Sequence, residues 1–564
     1  MWTALLALLL VQEGPDQDLP EESYVVQGPR VKPAELVVRH AVIYTADPRH
    51  PTAQAMAVSR GRIVDIGTEL SIARYVGPGT RLLDIGGRPV LPGLIDSHGH
   101  VLSLGKLLTQ VNLQGTDSYE AVVESVKVRA ARTPAGEWIE GRGWDQNRWP
   151  EQAFPTHQAL SEAVPDHPVA LRRVDGHALL ANRRALELAH VTRDTPDPAG
   201  GRIVRDAQGE PTGVLVDNAE KLVTDVIPPL TPEQLQQRLL AALNECASFG
   251  LTMVGDAGID QPTYDAYHAL LARGELPIRV NAMADVEDTL TAAVLARGPE
   301  TGDRFTLRAI KVVSDGALGS RGALLSADYS DQPGTRGLET FPFDSLEQVC
   351  ERARARGFQV RVHCIGDLAA TKTLDAFEKA FGGKPRPRLR WALEHAQVVR
   401  PEDIRRCARL GVVASMQATH ATSDGPWAEQ RLGPGRVKWS YAWRQFIAAG
   451  ARFANGSDFP VESPNPMLGL YASVTRRDLE GRLPAGGWRP EERLSRAEAL
   501  SSFTLWGAWL AFRERDLGSL EVGKWADFVV FDRDVVGGPI ADVPGARVLR
   551  TVVAGQTVYE AGEP

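Results

Sequence analysis

The feature that most constrains the fold is a regular alternation of strand-like and helix-like segments. Eight short apolar segments typical of β-strands occur at residues 90–95, 251–255, 278–283, 307–313, 359–363, 389–395, 412–416 and 452–456. Helix-like segments separate most of them, for example at residues 232–249, 345–356 and 401–410. Strands that alternate with helices form parallel sheets, and eight such units are typical of a closed barrel. We therefore predict an α/β protein built on a (β/α)8 TIM-like barrel.

The interval between the first two predicted strands is much longer than an ordinary loop, at about 150 residues. It contains a tryptophan-rich segment at 137–149, a strand-like segment at 168–174 and a glycine-rich hairpin candidate at 198–213. We predict a large insert after strand 1, at about residues 115–225. Because it leaves the carboxyl end of a barrel strand, we expect it to lie over the barrel mouth.

The two ends of the chain carry matching β-type material. Residues 34–90 show short alternating runs separated by Gly, Pro and Asp, and similar runs return between residues 528 and 559. Neither end is long enough to bury a full sheet alone. We predict a composite β-sandwich formed by residues 34–90 and 516–564, with the hydrolase-type barrel between them at residues 91–515.

Composition and the first residues bear on partners and location. The net charge of −8 provides no basic surface, so a nucleic-acid partner is not expected. Residues 1–33 read as a leader and linker, and the apolar residues 3–11 have the length of a signal-peptide core but cannot span a bilayer. No transmembrane segment is predicted. The protein is either exported to the periplasm or medium with this leader removed, or cytoplasmic with a disordered tail.

Metal-binding side chains recur where the predicted strands end. His98 and His100 lie at the end of strand 1, two residues apart and therefore on one face. His363 ends strand 5, His395 ends strand 6 and Asp458 follows strand 8. Imidazole and carboxylate groups are the usual ligands of Zn²⁺ and similar ions. Since functional groups of such barrels gather at the carboxyl ends of the strands, these five predict a metal site.

Lys311, on strand 4, does not fit a simple metal site because an ammonium is repelled by divalent cations. Two explanations remain open at this point. Lys311 could point away and pair with Asp315. Alternatively, its neutral amine could have added carbon dioxide, and the resulting carbamate could bridge two metal ions about 3.5–4 Å apart.

Taken together, these residues resemble the amidohydrolase superfamily. The His98-x-His100 pair, Lys311, the two later histidines and Asp458 carry this resemblance, and residues 518–530 are similar to the superfamily's return into its β-sandwich. Further segments look like the branch that contains N-substituted formamide deformylase, at residues 143–147, 175–177, 311–320, 363–367, 394–395 and 456–460. The resemblance covers nearly everything from residue 34 onward.

The resemblance implies a site with two divalent metal ions, with zinc as the expected element. His98, His100 and Asp458 would bind one ion, His363 and His395 the other, and carbamylated Lys311 would bridge them. The implied reaction is hydrolysis of a C–N bond other than a peptide bond, in an amide, formamide or related group, by a metal-activated hydroxide. Asp458, acting with Lys311 as a catalytic residue, would take up the proton and pass it to the leaving amine.

Four residues are candidates for contact with a small-molecule substrate: Trp144, Asp145, His177 and Asp315. Three of them have a structural alternative. Trp144 could pack in the insert's own core, His177 could belong to a simple turn, and Asp315 could pair with Arg321.

Other functions remain open from the sequence. A lactonase, esterase or deaminase could use the same metals, and a catalytically silent binding or regulatory protein could retain the barrel. The chain has neither a phosphate-binding P-loop nor a Gly-x-Ser-x-Gly nucleophile motif at a strand–helix turn. Substrate, metal identity and oligomeric state are not determined by the sequence, and a homodimer is one assembly that it allows.

Overall fold

A computed structural model describes residues 31–174 and 176–562. Its centre is a sheet of eight parallel strands, which we number in chain order. They are β1 (Leu94–Gly99), β2 (Leu251–Ile259), β3 (Arg279–Asp285), β4 (Phe305–Val313), β5 (Gln359–Cys364), β6 (Ala392–His395), β7 (Val413–Gln417) and β8 (Arg452–Gly456). Each strand pairs with its sequence neighbour. The predicted α/β class and eight-stranded barrel are confirmed.

The barrel closes just beyond the ends of β8 and β1. The Asp458 amide donates to the His98 carbonyl at 2.8 Å, and the His100 amide donates to the Phe459 carbonyl at 2.8 Å. Gly99 and Phe459 form a parallel bridge at the same place. The backbone around three predicted metal ligands thereby joins the first strand to the last.

The sequence pattern predicts the wrong bounds for the first barrel strand. The continuous apolar run is divided into Pro89–Pro92, which belongs to another sheet, and β1, which carries His98. Gly93 separates them, where its amide donates to the Asp527 carbonyl at 2.8 Å. A Cβ atom at this position would lie 2.2 Å from Thr252 Oγ1, so the crossing requires glycine.

Helices cover the outside of the barrel. The longer ones are Val101–Thr109, Pro232–Ser248, Gln261–Ala272, Thr289–Arg297, Phe343–Arg356, Asp367–Phe381, Pro401–Leu410, Ala418–Arg436 and Pro466–Thr475. Pro232–Ser248 illustrates why they form, since Thr231 and Gln234 make a capping box at its start. This helix buries Leu239 and Leu243 in the main hydrophobic core together with strand residues such as Val254.

The interval between β1 and β2 folds around a sheet of its own. Its six strands, in spatial order, are Gly201–Arg205, Pro211–Asp217, Ala178–Ala181, Val169–Arg173, Ile139–Trp144 and Val111–Asn112. The helices Tyr119–Ala130, Gln158–Ala163 and Arg183–Leu188 accompany them. Trp144 and Trp149 lie in a hydrophobic cluster made only of residues from this interval.

Strands from both chain ends pair in one six-stranded sheet. In spatial order it contains Gln556–Glu560, Val548–Val553, Phe528–Phe531, Pro89–Pro92, Val42–Tyr44 and Thr52–Ala53. A second sheet contains Arg62–Gly67, Ala55–Ser59, Leu36–Arg39 and Arg81–Asp84. Met56 and Val58 of the second sheet share a hydrophobic core with Phe528 and Val530 of the first. The chain end therefore returns to complete a core that the N-terminal strands begin.

The expected leader at residues 3–11 lies outside the described residues. Within residues 31–174 and 176–562, no helix is both long enough and apolar enough to cross a bilayer.

A buried ion pair connects the barrel to the sheet of the chain ends, and it makes a testable prediction. Arg279 of β3 donates to both oxygens of Asp527, from Nε at 2.8 Å and from Nη2 at 3.0 Å. Asp527→Ala would leave a buried guanidinium without this partner, so we expect a loss of about 3–5 kcal/mol in urea unfolding. The control is Asp303→Ala, which removes the more exposed partner of Arg279 and should cost about 1 kcal/mol or less. Equal losses in the two variants would contradict this account.

Candidate metal centre

The predicted ligands meet at one rim of the barrel. The ring of His395 lies 4.8 Å from the ring of His98 and 4.5 Å from that of His363, centroid to centroid. Asp458 Oδ1 lies 3.5 Å from His98 Nε2 and 3.2 Å from His100 Nε2. Residues far apart in sequence are thus brought to one place because each lies at or just beyond the carboxyl end of a barrel strand.

Three of these residues form a compact donor group. Ligand atoms of His98, His395 and Asp458 all lie within 4.8 Å of one another, and all three side chains are buried. Two imidazoles and a carboxylate at this spacing match the donor set of a zinc-type site.

Lys311 belongs to the same group. Its Nζ lies 3.5 Å from His98 Nε2, and its side chain is buried. Asp315 does not pair with it: the carboxylate of Asp315 accepts hydrogen bonds from the amides of Leu324, Ile365 and Gly366 at 2.8–3.0 Å. Of the two explanations for Lys311, the one in which it turns away to pair with Asp315 is excluded.

The histidines are held so that one ring nitrogen faces the centre. His98 Nδ1 contacts Glu394, and His100 Nδ1 lies 3.0 Å from the Ala257 carbonyl oxygen. Metal-binding histidines usually donate their second N–H to a carboxylate or a carbonyl in this way. Nε2 of both rings is therefore directed at Asp458 and available as a ligand.

An unsatisfied polar atom supports the same conclusion. Nε2 of His363 is buried and has no hydrogen-bond partner among the described residues. Its nearest carboxylate oxygen, Asp315 Oδ1, is 3.6 Å away. Burying such an atom without a partner costs about 1–3 kcal/mol, and a bound cation would supply the missing interaction. The residues present therefore fit a divalent metal ion.

Electrostatics favour the metal-binding form of the rings. Burial lowers the pKa of His98 to about 4 and that of His363 to about 3. Both imidazoles are neutral near pH 7, as metal coordination requires. Burial also lowers the pKa of Lys311, which favours the neutral amine that carbamate formation needs.

Asp458 is held as a carboxylate. Burial alone would raise its pKa, but the close contact with His100, at 3.2 Å, and the nearby imidazoles of His395 and His98 outweigh burial and keep the pKa well below its usual range. Asp458 has φ +62° and His395 has φ +67°, in the left-handed region that favours glycine. Such strain costs about 1–3 kcal/mol and is typical of functional positions.

Two supporting residues were not assigned a role from the sequence. Glu394 accepts hydrogen bonds from His98 and from Arg361, and Arg361 also donates to the Ser97 carbonyl at 3.0 Å. Both side chains are fully buried. The available signal was the position of Arg361 two residues before His363 on one strand, which places both on the same face.

Glu394 provides a test of how the centre is supported. Glu394→Gln removes the charge that orients His98, so we expect zinc affinity to fall about 10–100-fold. Competition with a chromophoric chelator would measure this change. Glu514→Gln, which alters a carboxylate paired with Arg390 away from the centre, is the matched control. Unchanged zinc affinity in Glu394→Gln would contradict the supporting role.

The four candidate substrate residues lie in different surroundings. Trp144 is buried in the core of the inserted sheet and donates from Nε1 to the Leu171 carbonyl at 2.7 Å, which is the structural alternative considered for it. Asp145 pairs with Arg173 at 2.9 Å. His177 is exposed, and its Nδ1 lies 2.9 Å from Asp217.

Asp315, the fourth candidate, organises the loop after β4. Its carboxylate accepts from three backbone amides and forms no ion pair with an arginine among the described residues. Arg321 pairs with Asp331 instead, at 2.9 Å. The alternative in which Asp315 pairs with Arg321 is therefore wrong. Burial raises the pKa of Asp315 to about 7.

Comparisons with known proteins agree with this geometry. The profile of the amidohydrolase family Amidohydro_3 matches residues 81–559. YtcJ of Bacillus subtilis, provisionally named an amidohydrolase, is 33% identical over 527 residues, which cover 92% of this chain and 98% of the relative. N-substituted formamide deformylase of Arthrobacter pascens is 28% identical over 541 residues, covering 93% and 98%. The crystal structure of an uncharacterized metal-dependent hydrolase from Pyrococcus furiosus superimposes with a TM-score of 0.74 at 30% identity, covering 89% of this chain and 99% of the other. The matched family profile and these relatives, together with the fold and the site, show that the chain belongs to the amidohydrolase family.

Proposed function

We propose that this protein is a metal-dependent hydrolase that cleaves a C–N bond in a small non-peptide amide, formamide or related compound. The observation that carries this proposal is the convergence of His98, His395 and Asp458 donor atoms within 4.8 Å. Lys311 Nζ, only 3.5 Å from His98 Nε2, extends the same group.

We propose the ligand assignment that the family resemblance implies. His98, His100 and Asp458 would hold one ion, and His363 and His395 would hold a second. Lys311, as a carbamate, would supply the anionic group between them. When bound, such ions lower the pKa of a water molecule to near neutral and polarise a carbonyl group. Zinc is the proposed element because nitrogen and oxygen donors of this type suit it.

Asp458 is the proposed proton carrier. Because it is ionised, its carboxylate has a lone pair that can accept a proton from the water molecule that attacks the substrate carbon. As the new C–O bond forms and the C–N bond breaks, Asp458 returns that proton to the leaving nitrogen.

The assignment to C–N bonds is supported by the name of one relative, N-substituted formamide deformylase, which is 28% identical across nearly the whole chain. Lactones, esters and amino-heterocycles are the competing substrates. Asp145 and His177 remain proposed substrate contacts on the insert, which we propose lies over the barrel mouth. A silent binding protein is disfavoured, because all six predicted ligand side chains are present and buried or half-buried at one rim.

A substrate panel tests the reaction class. Protein loaded with zinc in bicarbonate buffer would be assayed on N-butylformamide, 4-nitroacetanilide, γ-butyrolactone and cytosine. We expect release of amine from the first two compounds. Turnover of the lactone or of cytosine alone would overturn the C–N amide assignment while leaving the metal centre intact.

Metal removal is a separate test. Treatment with a chelator is expected to abolish hydrolysis, and added zinc is expected to restore it, because the proposed ions would lower the pKa of the attacking water and polarise the substrate carbonyl. Full activity in protein shown by elemental analysis to be metal-free would refute the proposal.

A further inference from the structure

His420 is a buried histidine at the metal centre to which the reaction above gives no task. It lies at the start of the helix Ala418–Arg436, directly after β7, and is 7% exposed. Its Nε2 is 3.8 Å from Asp458 Oδ2, and its ring centroid is 6.0 Å from that of His395. Nε2 has no hydrogen-bond partner among the described residues. A buried polar atom left in this state is costly unless a partner arrives on binding.

The other ring nitrogen determines what Nε2 can do. His420 Nδ1 lies 3.2 Å from Gln397 Nε2, the amide nitrogen. An amide NH₂ group can only donate, so Nδ1 must accept, and an accepting Nδ1 places the ring proton on Nε2. His420 therefore presents an N–H donor, and not a lone pair, to the centre. This argues against His420 as a further metal ligand.

Gln397 is itself held in a buried network. Its carbonyl oxygen accepts from the Tyr441 amide at 2.7 Å, and its side-chain Oε1 lies 3.4 Å from the Tyr441 hydroxyl. That hydroxyl is 2.6 Å from Asp424 Oδ2. The hydroxyl is the donor in this bond. The side-chain amide of Gln397 is oriented with Oε1 towards Tyr441 and with its nitrogen towards His420.

We propose that His420 binds substrate, donating a hydrogen bond from Nε2–H to the carbonyl oxygen of the amide under attack, and that Gln397 is the positioning residue that fixes this tautomer. The inference rests on the hydrolase function proposed above. Asp458, the neighbour of His420, is the proposed acceptor of the proton of the attacking water. The group that remains for the His420 donor is therefore the carbonyl oxygen of the substrate. Negative charge grows on the carbonyl oxygen during attack, so a fixed donor there stabilises the transition state more than the bound substrate.

Two substitutions separate this role from simple packing. His420→Phe removes the donor but keeps a ring, and we expect kcat on the amide that the wild type hydrolyses to fall about 10²–10³-fold. Gln397→Glu keeps size and shape, but its carboxylate would accept from Nδ1 and move the proton away from Nε2. We expect a similar loss in kcat from Gln397→Glu, although His420 itself is unchanged. Gln397→Met favours neither tautomer of His420, so we expect a smaller loss in kcat than in Gln397→Glu.

A readout independent of turnover is the ¹⁵N NMR spectrum of zinc-loaded protein labelled at histidine, with His420 assigned by its loss in His420→Phe. We expect a protonated Nε2 and an unprotonated Nδ1 in the wild type, and the reverse in Gln397→Glu. A protonated Nδ1 in the wild type would overturn the inference, and so would an undiminished kcat in zinc-loaded His420→Phe. If the wild type bound no zinc or hydrolysed no amide, the hydrolase function itself would be refuted. The proposed hydrogen bond from His420 to the substrate carbonyl would then fall with it.

Discussion

Replacing Asp458 with asparagine is expected to lower kcat/KM by at least about 10³-fold on any amide that the wild type hydrolyses. General acid–base groups contribute about 10²–10⁴-fold, and Asp458 is in addition a proposed metal ligand. Asparagine matches its shape but cannot accept a proton. Steady-state kinetics, with zinc content measured on the same preparation, would show how much of the loss remains when the metal is in place.

The control for this substitution is Asp328→Asn, which alters an exposed carboxylate paired with Arg336. We expect it to retain wild-type activity. If zinc-loaded Asp458→Asn retained more than about a tenth of the wild-type kcat/KM, Asp458 could not be the proton carrier, since even the weakest general base contributes about 10²-fold.

The second large effect is expected at Lys311. Lys311→Met keeps the length and apolar character of the side chain but cannot form a carbamate. We expect zinc content to fall from two ions per chain to one or fewer, because the bridging anion is lost and the second ion keeps only two neutral imidazoles. Activity should fall by at least about 10²-fold, since a metal ion supplies several kcal/mol of transition-state stabilisation.

Lys311→Glu is the informative partner of this variant, because its carboxylate can imitate part of the carbamate. It should bind more zinc than Lys311→Met. Wild-type protein prepared without carbon dioxide should regain zinc and activity when bicarbonate is added, whereas Lys311→Met should not respond. Two zinc ions in Lys311→Met would show that the lysine is not a bridging ligand.

Much of the barrel and the convergence of the candidate ligand side chains could be predicted from the sequence because both follow local patterns. Strand segments are apolar and short, and a side chain after a strand end must lie on the rim where neighbouring parallel strands also end. His363, His395 and Asp458 are therefore brought together whatever the lengths of the helices between them. Charge reasoning also identified Lys311 as the anomalous member, and its position beside His98 agrees with that.

The remaining features depend on contacts between distant parts of the chain, which a local pattern does not contain. Glu394 supports His98 across a separation of 296 residues. Gly93 divides an unbroken apolar run because Thr252, on the next barrel strand, leaves no room for a side chain. The role proposed for His420 likewise depends on Gln397, whose side chain is identified as its partner only in the folded chain.

The most direct test is anomalous diffraction at the zinc edge from crystals grown with zinc and bicarbonate. The account predicts two anomalous peaks at this rim, one contacting His98, His100 and Asp458 and the other contacting His363 and His395. It also predicts additional density on Lys311 Nζ between them. Crystals with no anomalous peak at these side chains, and with an unmodified lysine, would contradict it.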